Sequence, residues 1–458
     1  MTEIKCFKLD EIIAYLNKEK TDKADKLRFQ REGFRCLGAG ERGMGGLSRT
    51  AKFIPESIHI LLAPLACMRH CDFDLKLNGY TQGVYSLFLS EKEIVSGSVA
   101  DVLWKCIQEL LEKLNPQPKV ITITVTCIDG LIHSDYTAIR KRLMKQYGIR
   151  FGVVEMFPIL ADNKIKHTDL FPEMVYSLIQ ADPHQPKKKI VNLLGHVEIV
   201  DPNTDFYQVL QKAGYEVREI RQCKTLDEFD EMGEACLNIV LSAFHLRAAK
   251  MMEKKYHVPY FFWNESMDPD TIRHNYEELE RRLHCTLETD GFYQAAKKKA
   301  EKVKKIAGEK TFAIGQRLDY IPVKAACELT AIGLNVKYVF TDQIQRSDME
   351  YYIWLQQHSP RTHVYLAPDI SMRKFISQPE PVDVLINGSM MLMKNVKELM
   401  TIELPEEPYD FQTFLQVMEK FEEQLLQKHP RESEQDKEET DPAGSIFARA
   451  WKPYPEEV

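Results

Sequence analysis

The chain has 458 residues, 44% of them hydrophobic and 28% charged, and a net charge of −7. That length exceeds what one core organises, so roughly two to four domains are expected, and the acidic balance argues against nucleic acid as the main partner. No apolar run reaches the about 18 residues of a membrane span, the N-terminus MTEIKCFKLDEIIAYLNKEK lacks a signal-peptide core, and ten cysteines are too sparse for a disulfide scaffold. A cytoplasmic protein that does not bind membranes is expected.

The first distinctive stretch is RCLGAGERGMGG, Arg35 to Gly46. Gly38, Gly40 and Gly43 have the spacing of a dinucleotide loop. That motif needs a buried strand before it and a helix after it. Lys26, Arg28, Arg31, Glu32 and Arg35 precede it, and Gly45 and Gly46 follow, so both are lacking. Two other readings stand: a surface loop, or a pliable loop that carries Cys36 to a metal cluster. Next come an apolar run over Ile58–Cys67, an amphipathic helix in SVADVLWKCIQELLEKLN, and a second apolar run over Lys119–Cys127.

From Lys187 onward, short β-branched runs alternate with helical patterns. IVNLLG leads into DFYQVLQKAG, closed by Gly214. NIVLSA leads into FHLRAAKMMEKKYH, and PYFFW into DPDTIRHNYEELERRL, where Asp268 or Asp270 is a cap. KTFAIG, DYIPVKAACELTAIG, NVKYVFT, HVYLAP and VDVLING complete the series. This alternation means βαβ units and parallel sheets. The expected fold is α/β: three Rossmann-like domains with parallel sheets flanked by helices. The units are an N-terminal domain over residues 1–186, a second over 187–307, a third over 308–405, and a C-terminal helix, polar linker and aromatic tail over 406–458.

The cysteines sort by local element. Cys106 lies on the apolar stripe of its helix, and Cys223, Cys236 and Cys327 flank or sit in ordinary elements, so core filling is expected of them. Cys6 and Cys285 have no companions. Cys67 and Cys127 each end an apolar run or follow it, and polar sequence comes after each. The C-terminal strand ends of a parallel sheet are where ligands bind. Cys36 sits among glycines, which let backbone approach an inorganic core. Three thiols from three loops would supply most of an iron–sulfur site, and core packing is the alternative for each.

RCLGAG, then LLAPLAC, then VTCIDGLIHSDY resembles, in that order, the nitrogenase component 1 superfamily. VNLLGHVEIVDPNTDFYQVLQKAGYEV and NIVLSAFHLRAAKMMEKKYHVPYF extend the resemblance, which covers most of Arg35 to Met400. It implies three α/β domains around a cleft and cluster thiolates at Cys36, Cys67 and Cys127. Asp135 matches an acid of the last motif, and Gly38 and Gly40 shape the Cys36 loop. The implied cofactor is an iron–sulfur cluster, [4Fe-4S] or a larger P-cluster-like one. The implied partners are a second copy or a sister component 1 subunit, and an ATP-dependent iron protein that delivers low-potential electrons. Catalytic subunits of the family anchor a large cofactor through a cysteine where this chain has Ser242 and Ala243, and through a histidine where Asp383–Leu392 has none. No FeMo-type cofactor is expected on this chain alone.

Cys71, one turn after Cys67, is a candidate fourth ligand, with core packing as the alternative. His196 and His245 follow two predicted strands and are candidate proton donors, with a surface or structural histidine as the alternative for each. The lysine-rich helix AAKKKAEKVKKIAGEK is read as a solvated face. Three functions follow from the resemblance: an iron–sulfur oxidoreductase subunit of undefined substrate, a maturation scaffold for a metallocofactor or tetrapyrrole, or a cluster-free partner subunit.

Overall fold

A computed structural model describes residues 6–18, 54–69, 82–155, 167–195, 201–315, 321–341, 344–367, 382–387, 400–402 and 408–426. Its strands form three sheets. The elements in chain order begin with β1 (Cys6–Lys8) and α1 (Leu9–Lys18). The first sheet and its helices follow: β2 (Ser57–Ala63), β3 (Val84–Phe88), α2 (Glu91–Ser96), α3 (Val99–Lys113), β4 (Val120–Val125), α4 (Cys127–Ile132), α5 (Thr137–Tyr147), β5 (Arg150–Glu155) and α6 (His167–Ser177). The second sheet comprises β6 (Lys188–Leu194), β7 (Glu216–Arg218), β8 (Ala235–Val240) and β9 (Tyr260–Phe262). Its helices are α7 (Asp205–Lys212), α8 (Leu226–Glu231), α9 (Leu246–Tyr256), α10 (Pro269–Leu283) and α11 (Asp290–Ala307). The third contains β10 (Thr311–Ile314), β11 (Asn335–Thr341), β12 (His363–Leu366), β13 (Val384–Ile386) and β14 (Met400–Ile402). With it go α12 (Pro322–Ala331), α13 (Met349–His358) and the C-terminal α14 (Phe411–Leu426).

Strand order is β3-β2-β4-β5 in the first sheet and β7-β6-β8-β9 in the second, all pairs parallel. The third runs β1-β12-β11-β10-β13-β14 and is parallel except at β1. The α/β fold with helix-flanked parallel sheets expected from the sequence is therefore observed. One assignment changes. Cys6–Lys8 pairs antiparallel with His363–Tyr365, and α1 packs on α13, so residues 6–18 belong with the third sheet and not with the 1–186 unit. The cause is apolar: Leu9, Ile12 and Leu16 are buried in the same core as Tyr352, Leu355 and Val364.

Local signals explain the element ends. Gly214 closes the turn after α7 at φ +81, a conformation glycine adopts without cost. Asp268, not Asp270, caps α10: its carboxylate accepts from the N–H groups of Asp270 and Thr271, and Pro269 follows at the first turn. The run Ile58–Cys67 is shorter as a strand than its apolarity suggests. It stops at Ala63, because Pro64 cannot donate to the ladder, and residues 65–69 turn into a helix. Cys327 is buried as expected, whereas Cys106 is only half-buried; the covered face of α3 is Val99, Leu103, Ile107 and Leu111.

Candidate functional site

β2 and β4 are neighbours with Leu62 opposite Val125, so both end at the same edge of the first sheet. The register is held from inside. His59 of β2 is fully buried. Its Nδ1 lies 2.8 Å from Thr122 Oγ1 and its Nε2 2.9 Å from Thr124 Oγ1, both on β4. A neutral imidazole donates through one nitrogen and accepts through the other. His59→Leu strands the Thr124 hydroxyl and leaves Thr122 only the Ile58 carbonyl at 3.4 Å; it is expected to cost about 1–3 kcal/mol, read as a lowered urea midpoint. An unchanged midpoint would show that the pair contributes nothing to the register.

Cys67 sits on the helical turn over residues 65–69 that follows β2. It is a half-buried free thiol. Cys127 is the first residue of α4, directly after Thr126 and the end of β4. The topology thus brings two of the three proposed cluster cysteines to adjacent strand ends. Cys36, Gly38, Gly40, Cys71 and His196 lie outside the described residues. Asp135 is exposed and accepts from the Thr137 N–H at 2.8 Å; the Thr137 hydroxyl first, then this N–H, lower its carboxyl below the ordinary value. The buried acid of this turn is Asp129, which accepts from the Tyr136 hydroxyl at 2.7 Å. Burial first, then Asp129, hold Tyr136 protonated. Around these strand ends Phe88, Leu65, Leu131 and Ile132 are exposed.

The second sheet has its own polar edge. Asn192 and Asn238 pair at 2.8 Å across β6 and β8, and beyond them the chain crowds. Gly195 at φ +124 lies so close to the next connection that an added Cβ would sit 2.7 Å from the Ser242 nitrogen. Three residues on, His245 ends a 3₁₀ turn and precedes α9. It is half-buried, and its ring packs edge-on to Tyr176 at 6.4 Å between centroids. Glu219, buried just past β7, and Cys223 lie beside Tyr176. Burial, then these two groups, push the phenol far above its ordinary value. Burial likewise pushes the Cys223 thiol up to about 12. Tyr176 and Cys223 are therefore protonated hydrogen donors rather than nucleophiles at neutral pH. Tyr176 and Glu219 were not foreseen from the sequence. The local signal is the three-residue strand Glu216–Arg218 that ends just before Glu219.

An interdomain clamp fixes the two sheets. Arg150 of β5 donates to both oxygens of Asp230 on α8 at 2.6 Å and to the Leu178 carbonyl at 2.9 Å. Asp230 also accepts from the Gln180 N–H at 2.8 Å.

The family profile of nitrogenase component 1 type oxidoreductases matches residues 44–406. The chain belongs to this family. Within the nitrogenase component 1 family, it is 28% identical over 213 residues to the nitrogenase iron-molybdenum cofactor biosynthesis protein NifE of Clostridium pasteurianum. That alignment covers 45% of this chain and 46% of the relative. It is 27% identical over 224 residues to the nitrogenase molybdenum-iron protein alpha chain of the same organism, covering 46% of this chain and 41% of that one. The chain spans about half the length of these curated relatives. The solved structure titled nitrogenase Cp1 at pH 6.5 superposes with a TM-score of 0.69, covering 90% of this chain and 98% of that one at 13% identity. The component 1 fold is thereby shown. Among the described residues no helix is long and apolar enough to cross a membrane.

Proposed function

We propose that this chain is a nitrogenase component 1-like subunit that holds an iron–sulfur cluster at the C-terminal edge of its first sheet. The observation that carries the reading is the side-by-side ending of β2 and β4, each followed within a few residues by a cysteine. Cys67 and Cys127 would hold the cluster, with Cys36 as third thiolate and Cys71 in reach of a fourth position. Two thiols at neighbouring strand ends suit a thiolate-bound cluster. When bound, the cluster supplies one-electron transfer at low potential. The chain's own contribution is to fix the ligand-bearing turns through His59 and to offer apolar residues around the edge. Those exposed residues, Phe88, Leu65, Leu131 and Ile132, also suit cover by a paired component 1 subunit. Electrons would come from an ATP-dependent iron protein.

Of the roles open to such a subunit, maturation of a metallocofactor is favoured. Relatives of this chain are named for iron-molybdenum cofactor biosynthesis, and Ser242 stands where catalytic subunits of the resembled family carry a cofactor cysteine. The second reading is an oxidoreductase subunit with His196 or His245 as proton donor. The family's description and the likeness to a molybdenum-iron protein alpha chain favour it.

The test is anaerobic purification with iron and acid-labile sulfide counts. Wild type is expected to carry several irons per chain. Cys67→Ala and Cys127→Ala are each expected to lose most of them, and Cys106→Ala to keep them. Less than about one iron per chain in wild type, or full iron in both site variants, overturns the cluster. Incubation with a purified iron protein and ATP then separates the roles. A stoichiometric bound cofactor marks maturation, and sustained product release marks a reductase.

A further inference from the structure

Away from the strand ends, α7 and the C-terminal helix α14 share a pair of acids. Asp205 opens α7 and Asp410 precedes α14, and both are fully buried. Each carboxylate serves the other's helix. Asp205 Oδ1 accepts from the Gln412 N–H at 2.7 Å, and its Oδ2 from the Phe411 N–H at 3.3 Å and the Tyr276 hydroxyl at 2.8 Å. Asp410 Oδ1 accepts from the Thr413 N–H and hydroxyl, both at 2.8 Å, and its Oδ2 from the Phe206 N–H at 3.3 Å. The rings of Phe206, Trp263, Tyr276, Tyr409 and Phe411 pack around them.

The groups facing this pair are neutral. They are Tyr276 of α10, Tyr207 of α7 and Tyr409 beside Asp410; Tyr293 of α11 packs on Phe411 but gives its hydroxyl to Asp270. Farther along α14, Lys299 and Lys302 of α11 are held by Glu422. On α12, Lys324 pairs with Glu328, which accepts from Ser266 and Met267. Among the described residues, no lysine, arginine or histidine donates to Asp205 or Asp410. Two helix N-termini supply the remaining compensation. A buried pair of anions with no cation is costly, and sharing one proton relieves it.

We propose that Asp205 and Asp410 share one proton in the closed fold and form a pH-sensitive latch that straps the C-terminal helix to the second sheet's helices. The strap is otherwise sewn down by neutral bonds: Trp263 Nε1 donates to the Tyr409 carbonyl at 2.6 Å, Thr204 meets the Tyr409 hydroxyl at 3.0 Å, and the Ser266 N–H donates to the Pro408 carbonyl at 2.7 Å. Loss of the proton leaves two anions facing each other there and favours release. Burial, then Asp410, raises the Asp205 carboxyl to about 7, and burial raises Asp410. A raised folded value gives stability that is complete below the ordinary carboxyl range and lost as pH rises through about 7. This is opposite to the common acid lability of carboxylates. The latch does not depend on the cluster.

Hydrogen exchange from pH 5.5 to 8, corrected for intrinsic rates, tests it on the amides of Phe206–Leu210 and Phe411–Phe414. Protection is expected to fall by up to about tenfold per pH unit toward neutrality and then level, as one released proton requires. Amides of β4 should stay flat. Burial still raises Asp205 in Asp410→Asn, but its charged neighbour is gone, so the step should move to lower pH. Tyr276→Phe keeps both carboxyls but takes a donor from Asp205, and should move the step to higher pH. Flat protection in wild type overturns the latch, as does a step in Asp410→Asn at the wild-type pH. If Asp410→Asn does not fold, an unmoved step in Tyr276→Phe overturns it.

Discussion

Replacing Asp230 with alanine is expected to destabilise the chain by about 3–5 kcal/mol, the range for breaking a buried ion pair from one side. The Arg150 and Asp230 side chains are only 10% and 18% exposed, so solvent screens them weakly. The guanidinium would keep a single acceptor, the Leu178 carbonyl, and the Gln180 N–H would lose its own. Removing both partners should cost less, because no buried charge is then left alone. Arg150→Met with Asp230→Leu is expected to recover most of the loss. Urea unfolding of the two single variants and the double variant closes the cycle. A double variant as unstable as the sum of the singles would show that the two side chains act independently. The unfolding of a chain with several units is not one two-state step. The exchange of amides near residues 178–180 therefore provides a local reading of the same loss.

Gly195→Ala is the second large effect, expected at about 3–4 kcal/mol. Two costs combine: a φ of +124 that L residues rarely adopt, and a Cβ placed against the backbone of Ser242. Backbone cannot swing aside as a flexible side chain can, so the connection after β8 must shift, and it carries His245. Gly214→Ala provides the control. Its φ is +81, yet nothing lies within 4 Å of the added carbon, so only the conformational cost of about 1–2 kcal/mol remains. Thermal unfolding of both variants should rank them in that order. Faster amide exchange at Leu241–Leu246 in Gly195→Ala alone would locate the damage. Equal costs for the two glycines would remove the crowding argument.

Much of the architecture was legible along the chain because local rules agree with the fold. Val191, Leu193 and Leu194 of β6, the periodic face of α7 and the turn at Gly214 all pointed the same way. The elements that escaped notice were those whose stability comes from far away. β7 is three residues long, and β5 begins with Arg150, a charge that reads as solvent-exposed until Asp230, distant in sequence, neutralises it. The site divides along the same line. That Cys67 and Cys127 follow strands was visible in the apolar runs before them. That those strands are neighbours is a property of sheet order, which no window of sequence contains. Nothing in the sequence around Asp205 announces that its carboxylate will take the N–H groups of Phe411 and Gln412.

The antiparallel pairing of Cys6–Lys8 with His363–Tyr365 bears on how the chain comes off the ribosome. β1 is made well before β12, so it must wait, unpaired, through synthesis of the first and second sheets. Until it docks, β12 presents an open row of backbone donors and acceptors of the kind that recruits strands from other molecules. Removing the Cys6–Lys8 strand, or replacing its residues with prolines, would leave that row permanently bare and favour aggregation.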